Sequence, residues 1–197
     1  MSPPRTATIE RTTRETSIRL ALNLDGGGDV TISTGLGFFD HMLHALAYHA
    51  RFDLSLTCQG DLRVDDHHTV EDVGLVLGDA INQSLGDRVG IRRFAHAYAP
   101  LDEALARCVI DLSGRPCAAV NLDLRWRVVG DTSSENLTHF FLSFATTVRG
   151  ALHVDVLRGE NDHHRAEAAF KATALALRAA VARDDRPAGV PSTKGTL

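Results

Sequence analysis

Apolar and polar positions alternate along several stretches of the chain, and alternation with a period of two predicts strands. Ile18, Leu20, Leu22 and Leu24 alternate with other positions, after which "DGGGD" at 25–29 turns the chain into Val30, Thr31 and Ile32. That pattern predicts a hairpin. Phe52, Leu54, Leu56 and Cys58 alternate in the same way, as do Ala118, Val120, Leu122 and Leu124, and then Leu152, Val154 and Val156. Between them lie apolar stretches without internal breakers at 38–48 and 136–149, which predict helices. Two further helices follow from stripes at helical spacing: Val70, Val73, Leu77 and Ile81 within 67–85, and Phe170, Ala174, Leu177 and Val181 within 163–183.

The order of these elements repeats. Strands 18–24 and 118–124, strands 52–58 and 152–156, and the helices opening at 67 and 163 are offset by 96 (163 − 67) to 100 (118 − 18) positions. A half of roughly 90 residues is therefore expected twice, as 1–92 and 93–197, fused into one compact unit with pseudo-two-fold symmetry. The expected fold class is α+β or α/β, a sandwich with sheets outside and helices packed between them.

Composition narrows the functions. With 44% hydrophobic and 23% charged residues the chain can bury an ordinary globular core. A formal charge of −4 leaves no basic footprint for nucleic acid. No apolar run approaches the ~20 residues of a membrane span, and no signal peptide opens the chain. The three cysteines, Cys58, Cys108 and Cys117, lack metal or disulfide spacing. They are expected as core thiols in a reducing, cytoplasmic setting. Histidine is over-represented at ten residues, seven of which crowd into three short stretches.

Two of those stretches are "DHHTVE" at 66–71 and "DHHRAE" at 162–167. On a helix, His67 and Glu71 share a face, as do His163 and Glu167, whereas His68 and His164 are rotated by about 100°. An exchange satisfies all six: one metal takes His67, Glu71 and His164, the other His163, Glu167 and His68, within a chain or across an interface. His41 and His139, 26 (67 − 41) and 24 (163 − 139) positions upstream, are candidate fourth ligands. Imidazole and carboxylate without thiolate suit Mn, Fe, Co or Zn, and open positions for substrate favour manganese. The competing reading makes Asp66 and Asp162 helix N-caps and the glutamates dipole partners. Two copies at matching places favour the metal site, with the aspartates capping in either case.

Other polar residues carry weaker signals. Arg92, Arg93 and Arg115 stand at strand edges, and Ser192 and Lys194 lie in the tail "VPSTKGTL". These are materials of a phosphate site, although surface arginines and polar tails are common. Lys171 follows Glu167 by four residues and would pair with it on one helix face.

The stretches "RETSI", "GFFDHMLHALAYHARFDL", "VDDHHTVEDVG", "GIRRF", "DLSGRP", "ENLTHFF", "GENDHHRAEAAFK" and "PSTKG" together resemble imidazoleglycerol-phosphate dehydratase, the lyase family of histidine biosynthesis, over essentially the whole chain. The resemblance implies two duplicated half-domains like domain 2 of ribosomal protein S5, packed with helices between two four-stranded sheets. It also implies two manganese ions (Mn2+) per active site and a 24-subunit homo-oligomer with active sites between subunits. One ion would take His41, His68, His163 and Glu167, the other His67, Glu71, His139 and His164. Arg93, Arg115, Ser192 and Lys194 would hold the substrate phosphate, assisted by His49 and Lys171. Glu15 would act as the acid/base, joined in catalysis by Glu71 and Glu167. The expected reaction is dehydration of D-erythro-imidazoleglycerol phosphate to imidazole-acetol phosphate through an imidazolate held by both ions. The length leaves no room for the phosphatase domain of some relatives, so the monofunctional form is expected. The alternative is a two-metal hydrolase of a small phosphate ester, which would normally bridge its ions with a carboxylate.

Overall fold

The computed structural model describes residues 4–184, 189, 191 and 192. Its first sheet is built from β1 (Thr6–Thr12), β2 (Thr16–Asn23), β3 (Val30–Ser33) and β4 (Asp53–Gly60), with α1 (Gly37–Ala50) between β3 and β4 and α2 (His67–Leu85) after β4. The second sheet uses β5 (Phe94–Leu101), β6 (Ala104–Asp111), β7 (Cys117–Asn121) and β10 (Ala151–Arg158). A short hairpin, β8 (Val128–Val129) with β9 (Thr132–Ser133), precedes α3 (Ser134–Val148), and α4 (Asp162–Val181) ends the fold. The sheets have the same strand order, β1-β2-β4-β3 and β5-β6-β10-β7. Helices α1 and α2 cover the first sheet and α3 and α4 the second, while α2 packs on α3 and α1 on α4. The molecule is thus sheet, helices, sheet: an α+β fold around one continuous core.

Alternation places the core residues. In β2, Thr16, Ile18, Leu20 and Leu22 face inward between exposed positions, and in β6 Ala104, Ala106, Cys108 and Ile110 face inward between mostly half-buried ones. The second sheet is built with small residues because α4 lies close above it. Ala166, Ala168, Ala169, Ala172, Ala174, Ala176 and Ala180 are all completely buried. Across the middle, α2 approaches α3 through glycine. A Cβ on Gly78 would stand 2.5 Å from the carbonyl oxygen of Phe144.

Three sequence expectations change. Residues 18–24 and 30–32 do not form a hairpin: β4 lies between β2 and β3, and β3 runs parallel to it. The Asp53 carboxylate accepts the amides of Gly27, Gly28 and Asp29, which opens "DGGGD" into a wide loop that carries the chain across β4. Strand 118–124 is not the counterpart of 18–24. It ends at Asn121 and corresponds to β3, while β2 corresponds to β6, 88 residues on (104 − 16). The β8–β9 hairpin between β7 and α3 restores the larger offset downstream. Strands β1, β5 and β6 went unread because β1 is a half-buried edge strand and β5 and β6 alternate largely on alanine. Of the cysteines, Cys58 and Cys108 are buried, and burial pushes each thiol up to about 12. Cys117, at the start of an outer strand, is exposed and is no core thiol.

Candidate metal centre

The four helices carry the HHxxE histidines, glutamates and His41 and His139 in their first two turns. Two clusters result. In one, His41 of α1 meets His163 and Glu167 of α4, with both imidazole Nε2 atoms on one carboxylate oxygen of Glu167 at 3.1 and 3.2 Å. In the other, His139 of α3 meets His67 and Glu71 of α2, with Nε2 of His139 3.2 Å and Nε2 of His67 3.9 Å from the Glu71 carboxylate. The His67 and His139 rings stack at 4.7 Å. Each cluster draws one helix from each sheet layer, and its donor atoms lie within 4.8 Å of one another. Ligands about 2.1 Å from a common ion stand roughly 3 to 4.2 Å apart, so small adjustments close either cluster around a cation. Three donors of this hard-to-borderline kind fit a divalent ion.

The loops before the helices are seated differently from the expected caps. Asp66 makes no cap bond; its carboxylate accepts the amide and hydroxyl of Ser133. Burial works to raise its pKa, but those bonds win and the carboxyl lies below the usual range. Asp162 is the first residue of α4, and its carboxylate accepts the amides of Arg125 and Trp126. Asn161 is the cap, accepting from the amides of His163 and His164. Asp131 takes the amides of Gly37 and Phe38 at the start of α1. The segment 125–133 around the β8–β9 hairpin, which has no counterpart in the first sheet's half, therefore staples three helix N-termini together. The capping role assigned to both aspartates fails because each is used for tertiary contacts instead.

His68 and His164 join neither cluster. Nδ1 of His68 lies 3.1 Å from Asp61, which raises its pKa against the opposing effect of burial, and Nε2 lies 3.7 Å from Glu15. Nδ1 of His164 lies 2.7 Å from Glu103. His67 is held likewise, its Nδ1 2.9 Å from the side-chain oxygen of Asn136. Each of these contacts orients Nε2 for other use, as partners of metal-ligating histidines do. Asn136, Asp61 and Glu103 were missed in the sequence. Asn136 lies three residues before His139, but Asp61 and Glu103 sit in turns whose contact with the histidines is purely tertiary.

The expected phosphate residues divide. Lys171 lies 2.6 Å from Glu167, an i,i+4 ion pair beside the α1–α4 cluster. Burial favours the neutral Glu167 carboxyl, but Lys171 and His41 outweigh it and hold the pKa below its usual range. His49 belongs to the same neighbourhood: burial first, then the Lys171 charge, lower its pKa. Arg93 lies elsewhere, clamped on Asp111 at 2.7 Å and on the Pro191 carbonyl oxygen. Its backbone amide donates to Ala180 in the last turn of α4, 17 residues (180 − 163) or about 25 Å along the helix from His163. Arg115, in the loop entering β7, is exposed near that same end. Ser192 follows Pro191, and Lys194 lies outside the described residues. One chain therefore does not gather Arg93 and Arg115 with its own clusters.

Two imidazole–carboxylate triads at helix N-termini, flanked by an acidic side chain and an ammonium, define a candidate two-ion enzyme. Residues 34–177 match the family model described as imidazoleglycerol-phosphate dehydratase. The chain is 59% identical over 193 residues to a protein of that name from Phytophthora nicotianae, covering 98% of this chain but spanning 42% of that relative. It is 51% identical to the namesake from Methylobacillus flagellatus, with 100% of both chains covered. A crystal structure of the enzyme from Pyrococcus furiosus superposes with a TM-score of 0.80 at 36% identity, covering 96% of this chain and 100% of that one. The Staphylococcus aureus structure gives 0.76 at 34% identity, covering 90% and 99%. The chain belongs to the imidazoleglycerol-phosphate dehydratase family and is a hydro-lyase of histidine biosynthesis. Among the described residues no helix is long and apolar enough to cross a membrane.

Proposed function

We propose that the chain dehydrates D-erythro-imidazoleglycerol phosphate to imidazole-acetol phosphate, using two manganese ions per active site in a 24-subunit cytoplasmic assembly whose active sites lie between subunits. The observation that carries this reading is the partition of the ligands. Each cluster holds three donors within the chain, while His68 and His164 are oriented by carboxylates but join neither. One ion would be held by His41, His163 and Glu167 with His68 from another copy, the other by His67, Glu71 and His139 with His164 from another copy. Bound there, the ions would supply Lewis acidity toward the two opposed ring nitrogens of the substrate.

The chain's own groups do the rest. Glu15, about half exposed beside His68, takes the proton from the side-chain carbon as general base. Glu167, kept charged by Lys171, suits ligation, and Glu71 would hold the other ion with His67 and His139. Lys171 and His49 approach the phosphate from the cluster side. Arg93, Arg115, Ser192 and Lys194, at the far end of α4 or in the tail, would serve the site of another copy. The matching strand orders support a duplication, with halves 1–92 and 93–197. Three free cysteines suit a reducing compartment.

The hydrolase alternative loses ground because the clusters share no carboxylate: Glu71 belongs to one and Glu167 to the other. The test is incubation of manganese-loaded protein with imidazoleglycerol phosphate. Formation of the enolisable ketone supports the proposal. Release of inorganic phosphate in its place would replace it with the hydrolase.

A further inference from the structure

Strands β2 and β6 hold the same place in their sheets, so the residues immediately before them, Glu15 and Glu103, correspond. Each meets the second histidine of its half's HHxxE helix, but at a different ring nitrogen. Glu15 faces Nε2 of His68 at 3.7 Å, while Glu103 holds Nδ1 of His164 at 2.7 Å. In the first half the Nδ1 contact belongs to Asp61, the residue just after β4. The corresponding residue after β10 is Gly159, where a Cβ would stand 2.9 Å from the Ala104 Cβ and from Cγ of the fully buried Arg165. No side chain fits at 159, so the second half has no equivalent of Asp61.

We infer that Glu103 is a positioning residue which takes over the task of Asp61. It accepts the Nδ1 proton of His164 and so presents the Nε2 lone pair outward to an ion. The duplicated glutamate has thereby diverged. In one half an aspartate does the positioning and leaves Glu15 free for proton transfer; in the other the glutamate itself is committed. Each chain then offers one acid/base glutamate, although the fold contains that position twice. This rests on the proposal that His164 ligates a manganese ion with His67, Glu71 and His139 of another copy.

Glu103 also has a structural contact, since its Oε1 accepts the amides of Glu160 and Asn161 at 3.0 and 2.9 Å. Glu103→Gln separates the two roles. The amide oxygen keeps the backbone contacts, while the NH2 group meets Nδ1 and favours the tautomer with its proton on Nε2. Manganese binding is measured by calorimetry on the full-length protein, with the metal-free melting temperature as control. The expected result is a fall of ~10–100-fold in affinity for one of the two ions, with an unchanged melt. Asp61→Asn should weaken the other ion by a similar factor, and Glu15→Gln neither. Wild-type affinity in Glu103→Gln, or a loss at both ions that accompanies a lowered melt, would overturn the inference. If the wild-type protein itself binds fewer than two ions, the metal reading beneath it fails instead.

Discussion

Helices α2 and α4 carry the same His-His-x-x-Glu sequence, 96 residues apart (163 − 67), yet sit in different surroundings. Glu167 is nearly buried and paired with Lys171, while Glu71 is about a third exposed. The residue four beyond Glu71 is Leu75, so α2 offers no ammonium there. On the side that packs inward, α2 has Gly74 and Gly78 where α4 has Phe170 and Ala174. The α2 backbone therefore rests directly against α3, whereas α4 packs the Phe170 ring on Phe140 and Phe141. A repeated motif fixed the donor atoms, but each half acquired its own packing and its own charge around them.

The largest test of that divergence is at the paired glutamates. Glu15→Gln should lower kcat by ~10²–10⁴-fold with both ions and substrate still bound, whereas the corresponding change at Glu103 should act through metal affinity. Steady-state kinetics with metal analysis separates them, and near-normal kcat in Glu15→Gln would remove it from the catalytic residues. Packing gives the next effect. Gly78→Ala puts a methyl against the Phe144 carbonyl and should cost about 1–3 kcal/mol by overpacking, read by denaturant unfolding, although alanine is native at the matching position 174. An unchanged midpoint would mean that α2 and α3 can separate without penalty.

Charge gives a smaller effect. Lys171→Leu makes the α1–α4 cluster resemble its counterpart, where Leu75 stands. Loss of the ammonium that holds the Glu167 pKa down should move the acid limit of metal binding at that cluster to higher pH. Manganese titrations from neutral to acidic pH would show it, and coincident wild-type and mutant curves would contradict it. The smallest effect lies at the seam of the halves, where Arg5 bridges Asp25 and the Val181 carbonyl oxygen. The Arg5 hydrogen bond lowers the Asp25 pKa to about 2. A depressed carboxylate contributes stability above its unfolded pKa of ~4, and that contribution is lost as pH falls toward the folded value. Asp25→Asn should therefore be less stable than wild type at neutral pH, with the gap closing between pH ~4 and about 2. A gap independent of pH would assign the loss to packing.

The order of amino acids was enough for the helices, the inward faces of the leucine-rich strands and the donor set. Helical spacing decides which side chains share a face, and large apolar residues in alternation mark a buried strand face. It also carried the family, because eight separated stretches match together. That β4 lies between β2 and β3 emerged only on folding, since several strand orders satisfy one alternation pattern and these pairings join segments far apart in the chain. The same holds for the clusters. Helical spacing joined His67 to Glu71 and His163 to Glu167, but the approach of His139 and His41 depends on helices from opposite layers crossing at their N-termini. Asp66 and Asp162 read as caps because a local contact is the simplest a sequence can suggest. Their carboxylates instead hold residues 125, 126 and 133, contacts between segments far apart in the chain, which exist only once the chain has folded.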